Sequence, residues 1–141
     1  MNAYVKAHPI YHDIYSDLVG LVPEILGMNT WDVRKSSIDS DFRHLSLFVE
    51  CKEENYMIVC LTHYYKDKNG DVLRESTIRI RLFLDDCSAE ALDYESFFSS
   101  VKVYFTENHL CPVTRTKLNS FLNVTLKSFI DQGHCLEKID N

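Results

Sequence analysis

The chain has 141 residues, of which 45% are hydrophobic and 12% aromatic. This length fits one domain of ordinary size, and the composition excludes an intrinsically disordered chain, which lacks the apolar residues to form a core. The formal net charge of −6 disfavours a protein that coats nucleic acid or an anionic membrane over a broad surface. We therefore expect a single globular domain over residues 1–141.

Five cysteines are scattered along the chain without a Cys-x-x-Cys pair: Cys51, Cys60, Cys87, Cys111 and Cys135. An odd number without paired spacing gives no support to a disulfide framework or a zinc ribbon. The N-terminal segment lacks the continuous apolar core of a signal peptide, and no window approaches the roughly 18 apolar residues of a membrane helix. These features predict a soluble cytoplasmic protein with reduced thiols and no membrane association.

An amphipathic helix is predicted over Pro9–Leu26, because apolar residues recur there at spacings of three and four. Proline suits the first turn of a helix, where its missing N–H group has no partner to lose. A second proline, Pro23, falls late in the pattern. It predicts that the helix ends or kinks near Val22.

A polar connection and two β-strands are predicted after this helix. Segment 28–41 mixes polar and charged residues, and Trp31 and Val33 are expected to anchor it to the core. Residues Arg43–Cys51 alternate as in a half-buried strand, whereas Tyr56–Tyr65 is apolar on both faces, as in an interior strand. The short polar break between the two strands predicts that they pair as a hairpin.

The segment Thr77–Asp86 (TIRIRLFLDD) is the strongest strand signal in the chain. An Asn-Gly pair at 69–70 is typical of a hairpin turn, so a strand over 72–86 is predicted to run antiparallel to the strand before it. The aliphatic face of this strand is the expected floor beneath the helices. Its opposite face carries Arg79 and Arg81, about 7 Å apart at the rise of a strand.

The C-terminal half supplies further elements. Segment 87–98 is compatible with a short helix or another strand, and 100–106 alternates as a strand does. Apolar spacing predicts a helix over Thr114–Gln132, ended by Gly133, and the last eight residues are expected to be frayed. The order of elements predicts an α+β fold: an N-terminal helix, an antiparallel meander of four to five strands and a C-terminal helix, with the helices packed on one sheet face.

Histidines and cysteines form no recognisable metal or catalytic motif. His8 and His12 would share a helix face, but the helix is expected to begin only after His8, and the glutamate of a zinc hydrolase motif is absent. The His and Cys residues at 109–111 and 134–135 match no established ligand spacing. Cys111 is the most reactive-looking thiol, although an inert cysteine is favoured. We predict no catalytic residue, no metal site and no cofactor.

Arg79 and Arg81 are the predicted ligand-binding residues. No Gly-rich phosphate loop is present, but two guanidinium groups on one strand face can hold a phosphate or carboxylate, and Tyr64 could stack on a base beside them. The alternative is that both arginines form ion pairs with carboxylates of neighbouring strands, such as Glu50 or Glu75.

Two stretches resemble the YqiB-like family of uncharacterised small proteins of proteobacteria. Ser76–Ala91 is similar to that family's strand of alternating apolar and arginine positions, followed by an acidic turn. Thr114–His134 is similar to its terminal helix, with Asn119, Phe121 and Leu122 in corresponding places. Residues 82–84 depart from the Tyr-His that relatives have near the strand end. The resemblance implies a bacterial cytoplasmic domain, and it adds no catalytic residue because the family has no assigned activity.

Three functional hypotheses remain. The leading one is a non-catalytic cytoplasmic binding or regulatory protein that engages a protein partner or itself, since the chain has a full core and many aromatic residues but no catalytic motif. The second is a module that binds nucleotide or RNA phosphates on the Arg79/Arg81 strand face. The third is a hydrolase that depends on Cys111 or on a His/Cys metal site.

Overall fold

Two helices pack on one face of a seven-stranded antiparallel sheet in the computed structural model, which describes residues 8–36, 43–106 and 109–138. The elements are α1 (Pro9–Leu21), a 3-10 turn (Ile25–Gly27), β1 (Val33–Ser36), β2 (Arg43–Lys52), β3 (Tyr56–Lys66), β4 (Val72–Phe83), β5 (Ser88–Ser96), β6 (Ser100–Lys102), β7 (Tyr104–Thr106), β8 (His109–Leu110), α2 (Pro112–Asp131) and β9 (Leu136–Glu137).

The strand order in the main sheet is β6-β5-β4-β3-β2-β1-β9, and every neighbouring pair is antiparallel. Strands β7 and β8 form a separate small hairpin. The predicted α+β class, with the helices on one face of an antiparallel sheet, is confirmed. The described sheet is larger than the predicted meander of four to five strands, because short strands lie at both of its edges.

Helix α1 begins at Pro9 and ends at Leu21, as the prolines predict. Pro9 occupies the first helical position, and the 3-10 turn follows Pro23. The residues that the helix buries recur at the predicted spacings: Tyr11, Ile14, Leu18 and Leu21. This stripe packs on the apolar face of the sheet, so the sequence pattern and the packing agree.

The buried face of the sheet consists of alternate residues on four neighbouring strands. Its central members are Leu45, Leu47, Val49, Met57, Val59, Leu61, Ile78, Ile80, Leu82, Ala89 and Ala91. The predicted turn joins β3 to β4: Gly70 has a φ of 84°, and its N–H donates to the Asp67 carbonyl at 3.1 Å. The aliphatic face of β4 is therefore the floor of the core, as predicted.

Strand β4 ends at Phe83, which is earlier than the predicted end at Asp86. Residues 84–87 form a turn in which the Asp86 N–H donates to the Phe83 carbonyl, and Cys87 has a φ of 53°. The ambiguous segment 87–98 becomes strand β5, which pairs with β4. These four turn residues carry the chain out of the sheet, so the strand alternation of β4 stops before the acidic pair.

The predicted connection 28–41 contains strand β1, which pairs with β2, while residues 37–41 lie outside the described residues. Trp31 and Val33 are exposed, so the prediction that they anchor this segment to the core is wrong. Trp31 instead packs on Phe48, on the sheet face that the helices leave open, with ring centroids 5.3 Å apart. A strand near the edge of a sheet buries few side chains and needs little apolar alternation. The sequence pattern therefore did not indicate β1.

The segment after α2 is also more ordered than predicted. Leu136 is completely buried, and β9 pairs with β1, so the prediction of frayed residues is wrong for 134–138. The predicted strand 100–106 is broken at Val103, whose N–H donates to the Leu92 carbonyl at 2.9 Å. This break turns the chain from the sheet edge into the β7–β8 hairpin.

Helix α2 carries the second apolar stripe of the core. Its buried apolar residues are Leu118, Leu122, Leu126 and Phe129, whereas Phe121 and Ile130, predicted on the same face, are exposed. Gly133, with a φ of 87°, follows the end of the helix. An ion pair of 2.6 Å between Lys127 and Asp17 joins α2 to α1.

Candidate functional site

The two predicted site residues lie together on the open face of the sheet, opposite the helices. Because β4 alternates strictly, Arg79 and Arg81 point away from the core. On the neighbouring strand β5, Asp93 lies opposite Arg79 and Glu90 lies opposite Arg81. We call this cluster of Glu50, Arg79, Arg81, Glu90, Asp93 and Tyr104 the arginine face.

Arg79 is held by carboxylates on both neighbouring strands. Its Nε and Nη2 atoms donate to Glu50 at 2.8 and 3.2 Å, and its Nη1 atom donates to Asp93 at 2.5 Å. Hydrogen bonding to Glu50 is the main reason that the pKa of Arg79 rises above its ordinary value, with Asp93 adding to it. Glu50 is thus the partner that the alternative interpretation predicted, whereas Glu75 pairs with His63 at 3.3 Å.

Arg81 has a more buried environment than Arg79. Its Nη2 atom donates to Glu90 at 2.7 Å, and the Glu90 side chain is completely buried. The Tyr104 hydroxyl lies 2.8 and 2.9 Å from the two Glu90 oxygens. The Arg81 guanidinium also lies 5.4 Å from the ring centroids of both Phe83 and Tyr104, which is a cation–π geometry.

Within the described residues, one N–H group of Arg81 has no hydrogen-bond partner. Its Nε atom is buried without an acceptor. Of the five N–H donors of each guanidinium, the described residues engage three in Arg79 and one in Arg81. The aromatic rings that hold Arg81 are those of Phe83 and Tyr104, while the predicted stacking residue, Tyr64, lies opposite Arg74.

A depression of about 350 Å³ opens at the arginine face and is lined by Arg79, Arg81, Leu92, Asp93, Tyr104 and Thr106. The volume suits a small ligand. The charges suit an anion poorly, because the three carboxylates Glu50, Glu90 and Asp93 outnumber the two guanidinium groups. An anion would have to compete with carboxylates that are already in place.

Three members of this cluster could not be identified as site residues from the sequence: Glu90, Asp93 and Tyr104. Glu90 and Asp93 lie in the segment that was compatible with helix or strand, so their face was undetermined. Between them, a bulge at Leu92 shifts the register, so that Asp93 rather than Leu92 lies opposite Arg79. The one available signal was Glu90 itself, a carboxylate between Ala89 and Ala91 in an apolar run.

The thiols and imidazoles predicted as possible chemistry lie apart from the arginine face or have structural partners. Cys111 occupies the N-cap position of α2. Its sulfur accepts a hydrogen bond of 3.2 Å from the Thr114 hydroxyl, which is the main reason that the pKa of Cys111 is lowered. His109 lies 3.0 Å from the Thr106 hydroxyl. Burial, and next the charge of Glu50, raises the pKa of Cys60 to about 11.

Other predicted ligands also have separate surroundings. The His12 Nδ1 atom donates to the Cys87 carbonyl at 3.0 Å, and the ring of His8 packs on Tyr11. His134 lies 2.7 Å from the Ser36 hydroxyl through Nδ1. Within the part of the chain that the structure describes, no three His, Cys, Asp or Glu side chains form a group that could hold a metal ion.

A second surface carries apolar residues in solvent. The Phe97 and Phe98 side chains stand at the β5–β6 turn and are 67% and 97% exposed, and Phe121 of α2 is 49% exposed. Phe121 packs edge-to-face on Tyr94, with centroids 5.5 Å apart and an interplanar angle of 77°. Depressions of about 320 and 410 Å³ lie on the two sides of this aromatic pair.

In the described ranges, neither helix has the length and hydrophobicity needed to cross a membrane. Comparison with curated proteins and with solved structures finds no match to the chain. One family model matches residues 18–135, which include nearly all of the described fold. The chain belongs to the family described as protein of unknown function (DUF1249).

Proposed function

We propose that the chain is a single-domain, non-catalytic binding or regulatory protein of the bacterial cytoplasm, YqiB-like and proteobacterial in origin, which engages a protein partner or a second copy of itself without a cofactor. The observation that supports this most directly is the exposed pair Phe97 and Phe98 at the β5–β6 turn, together with the partly exposed Phe121 of α2. Adjacent large apolar side chains in solvent are typical of interaction surfaces.

The polar residues of the open sheet face favour the same proposal. Arg79 binds two carboxylates, and Glu90 binds both Arg81 and Tyr104, so these groups stabilise the sheet. General acid–base catalysis needs a titratable group that is accessible to a substrate. Glu90 is completely buried, and the raised pKa of Cys60 keeps that thiol protonated at neutral pH.

Sedimentation and affinity capture with the full chain test this function. We expect the wild-type chain to associate with itself or with a specific protein, and Phe97→Ser/Phe98→Ser to lose that association. Trp31→Ser is the matched control, because Trp31 is also exposed but packs on Phe48 of the open face. A wild-type chain that is monomeric at every concentration and captures nothing in a Phe-dependent way would contradict the proposal.

A nucleotide- or RNA-phosphate-binding function for Arg79 and Arg81 is the second candidate. It is favoured by the depression that both arginines line and by the Tyr104 ring, which lines the same depression and offers a stacking surface. Calorimetric titration with ADP and with a short oligoribonucleotide tests it. Asp93→Asn removes a competing charge and should tighten binding, whereas an Arg79→Ala/Arg81→Ala variant that binds as wild type does would eliminate this function.

A hydrolase that depends on Cys111 or on a His/Cys metal site is the third candidate, and it is supported only by the lowered pKa of Cys111. Metal analysis of the purified chain and a thiol titration against pH test it. Stoichiometric zinc, or a Cys111 thiol that also hydrolyses an activated ester in a Cys111→Ser-sensitive way, would favour this function. The absence of both would eliminate it.

A further inference from the structure

We propose that the surface formed by Phe97, Phe98, Val101, Lys117 and Phe121, here called the Phe98 patch, is a self-complementary dimer interface. In this dimer, Phe98 of each copy inserts into the depression beside Phe121 of the other copy. The inference rests on the proposed binding function, which leaves open whether the partner is another protein or a second copy.

The projecting part of the patch is an ordered turn. The Ser96 N–H donates to the Ser99 carbonyl at 2.9 Å, and the Ser96 hydroxyl accepts from the N–H groups of Phe98 and Ser99 at 3.3 and 3.2 Å. These bonds fix the backbone that presents Phe98, which is 97% exposed. A fixed turn loses little conformational entropy on binding, so the ring is preorganised for insertion.

The receiving part is the depression of about 410 Å³, whose lining includes Tyr94, Ser99, Val101, Lys117, Leu118 and Phe121. The edge-to-face pair of Tyr94 and Phe121 forms one wall, and a third aromatic ring would extend this arrangement favourably. Lys117 contributes the single charge of the lining. Its ammonium group can remain in solvent or lie over an inserted phenyl ring.

The position of Ser99 favours a second copy as the occupant. Ser99 lines the depression and directly follows Phe98 in the chain, so the projecting ring and the receiving surface lie side by side. A two-fold rotation then brings each Phe98 to the depression of the other copy, and both insertions form in one symmetric contact. A foreign partner would leave one half of this arrangement unused.

The area of the patch is sufficient for a weak dimer. An aromatic side chain offers about 150–250 Å², so the exposed fractions of Phe97, Phe98 and Phe121 amount to roughly 400 Å² per copy. A symmetric pair buries about twice that area, roughly 800 Å² in total, from these rings. This value lies in the range of weak, transient interfaces, so we expect a dissociation constant in the upper micromolar range.

Sedimentation equilibrium of the full chain, from about 1 μM to about 1 mM, tests the dimer. We expect wild type to pass from a 16.5 kDa monomer to twice that mass. Phe98→Ser should raise the dissociation constant about 100-fold or more, because it removes a central aromatic anchor from both halves. Phe105→Ser is the matched control: Phe105 is 70% exposed on β7 and lines neither depression beside Phe121, so this variant should dimerise as wild type does.

A second measurement identifies the contact directly. In a mixture of differently isotope-labelled chains, nuclear Overhauser effects between Phe98 of one copy and Phe121 of the other should appear. Circular dichroism verifies that Phe98→Ser remains folded.

The outcomes separate this inference from the proposed function. A monomeric wild type that still captures another protein through Phe97 and Phe98 overturns the dimer and leaves the binding function standing. A dimer that Phe98→Ser does not weaken overturns the interface. A wild type with neither self-association nor Phe-dependent capture overturns both.

Discussion

Substitution of Arg81 by methionine should destabilise the fold far more than the same substitution of Arg79. The two arginines lie two positions apart on β4, point to the same face and bind carboxylates of β5. Their partners differ in solvent access: Glu90 is completely buried, whereas the side chains of Glu50 and Asp93 are 40% and 22% exposed. Comparing the two substitutions therefore separates the effect of the partner's burial on stability from the effects of residue type and strand position.

The magnitude follows from what each substitution leaves behind. Without Arg81, the Tyr104 hydroxyl is the side-chain partner that the described residues leave to the buried Glu90 carboxylate. Removing one partner of a buried ion pair costs about 3–5 kcal/mol of unfolding free energy. Two cation–π contacts of about 0.5–1 kcal/mol each are lost with it. Without Arg79, its carboxylates can be hydrated, so we expect a loss of about 1 kcal/mol.

Urea unfolding at neutral pH, followed by far-ultraviolet circular dichroism, measures both effects. A gap of about 2 kcal/mol or more should separate the midpoints of the two variants by about 1 M urea. The double variant Arg81→Met/Glu90→Met removes the orphaned charge and should recover most of the loss. Equal destabilisation by Arg79→Met and Arg81→Met, or no recovery in the double variant, would refute the assignment of Glu90 as a buried, Arg81-dependent carboxylate.

Three further predictions concern other elements. Asn119→Ala should cost about 1–3 kcal/mol and speed hydrogen exchange at Ala91, because the Asn119 side chain accepts the Ala91 N–H at 2.7 Å inside the protein. The free energy of unfolding should fall as the pH drops below about 6.5, because burial, and next the charge of His44, lowers the pKa of His134 in the folded chain. The unfolded chain then binds a proton that the folded chain does not. Urea unfolding at several pH values measures this dependence, and His134→Gln should flatten it. Thr114→Val should raise the pKa of Cys111 and slow its alkylation by iodoacetamide near neutral pH.

Each of these predictions has a control or a contradicting result. Asn123→Ala on the same helix removes an exposed contact to Lys127 and should change stability by about 0.5 kcal/mol or less. A wild-type stability that stays constant from pH 7 to about 5 would contradict the role of His134. Cys60, with a pKa of about 11, is the internal reference for alkylation, and equal rates at Cys60 and Cys111 would contradict the prediction.

The central sheet and both helices could be predicted from the sequence because local signals determine them. Alternation in β4, the Asn-Gly turn before it and the spacing of apolar residues in α1 and α2 each act within a few residues. Pro9 and Pro23 restrict the backbone directly, so the predicted bounds of α1 lie close to the observed ones. The open face of β4 was also identified correctly, because one register places both arginines on it.

The surroundings of the arginines could not be predicted, since they depend on contacts between distant residues and on irregular backbone. A bulge between Val49 and Cys51 places Glu50 next to Arg79, and a bulge at Leu92 shifts Asp93 into register. Neither bulge has a local sequence signal. The short strands β1 and β9, at one end of the sheet, contain few apolar residues, so the sequence pattern does not indicate that they pair.

Strand β5 and the turn after it show why we place binding at Phe98 rather than at the arginine face. Glu90 and Asp93 have structural partners there, so substitutions at Glu90 change stability before they change any binding. Phe98 is almost fully exposed, and Phe98→Ser should leave the unfolding free energy within about 0.5 kcal/mol of wild type. A change in its association therefore reports binding itself. If Phe98→Ser instead unfolded more easily as a monomer, the ring would stabilise the fold, and the argument for a binding surface would fail.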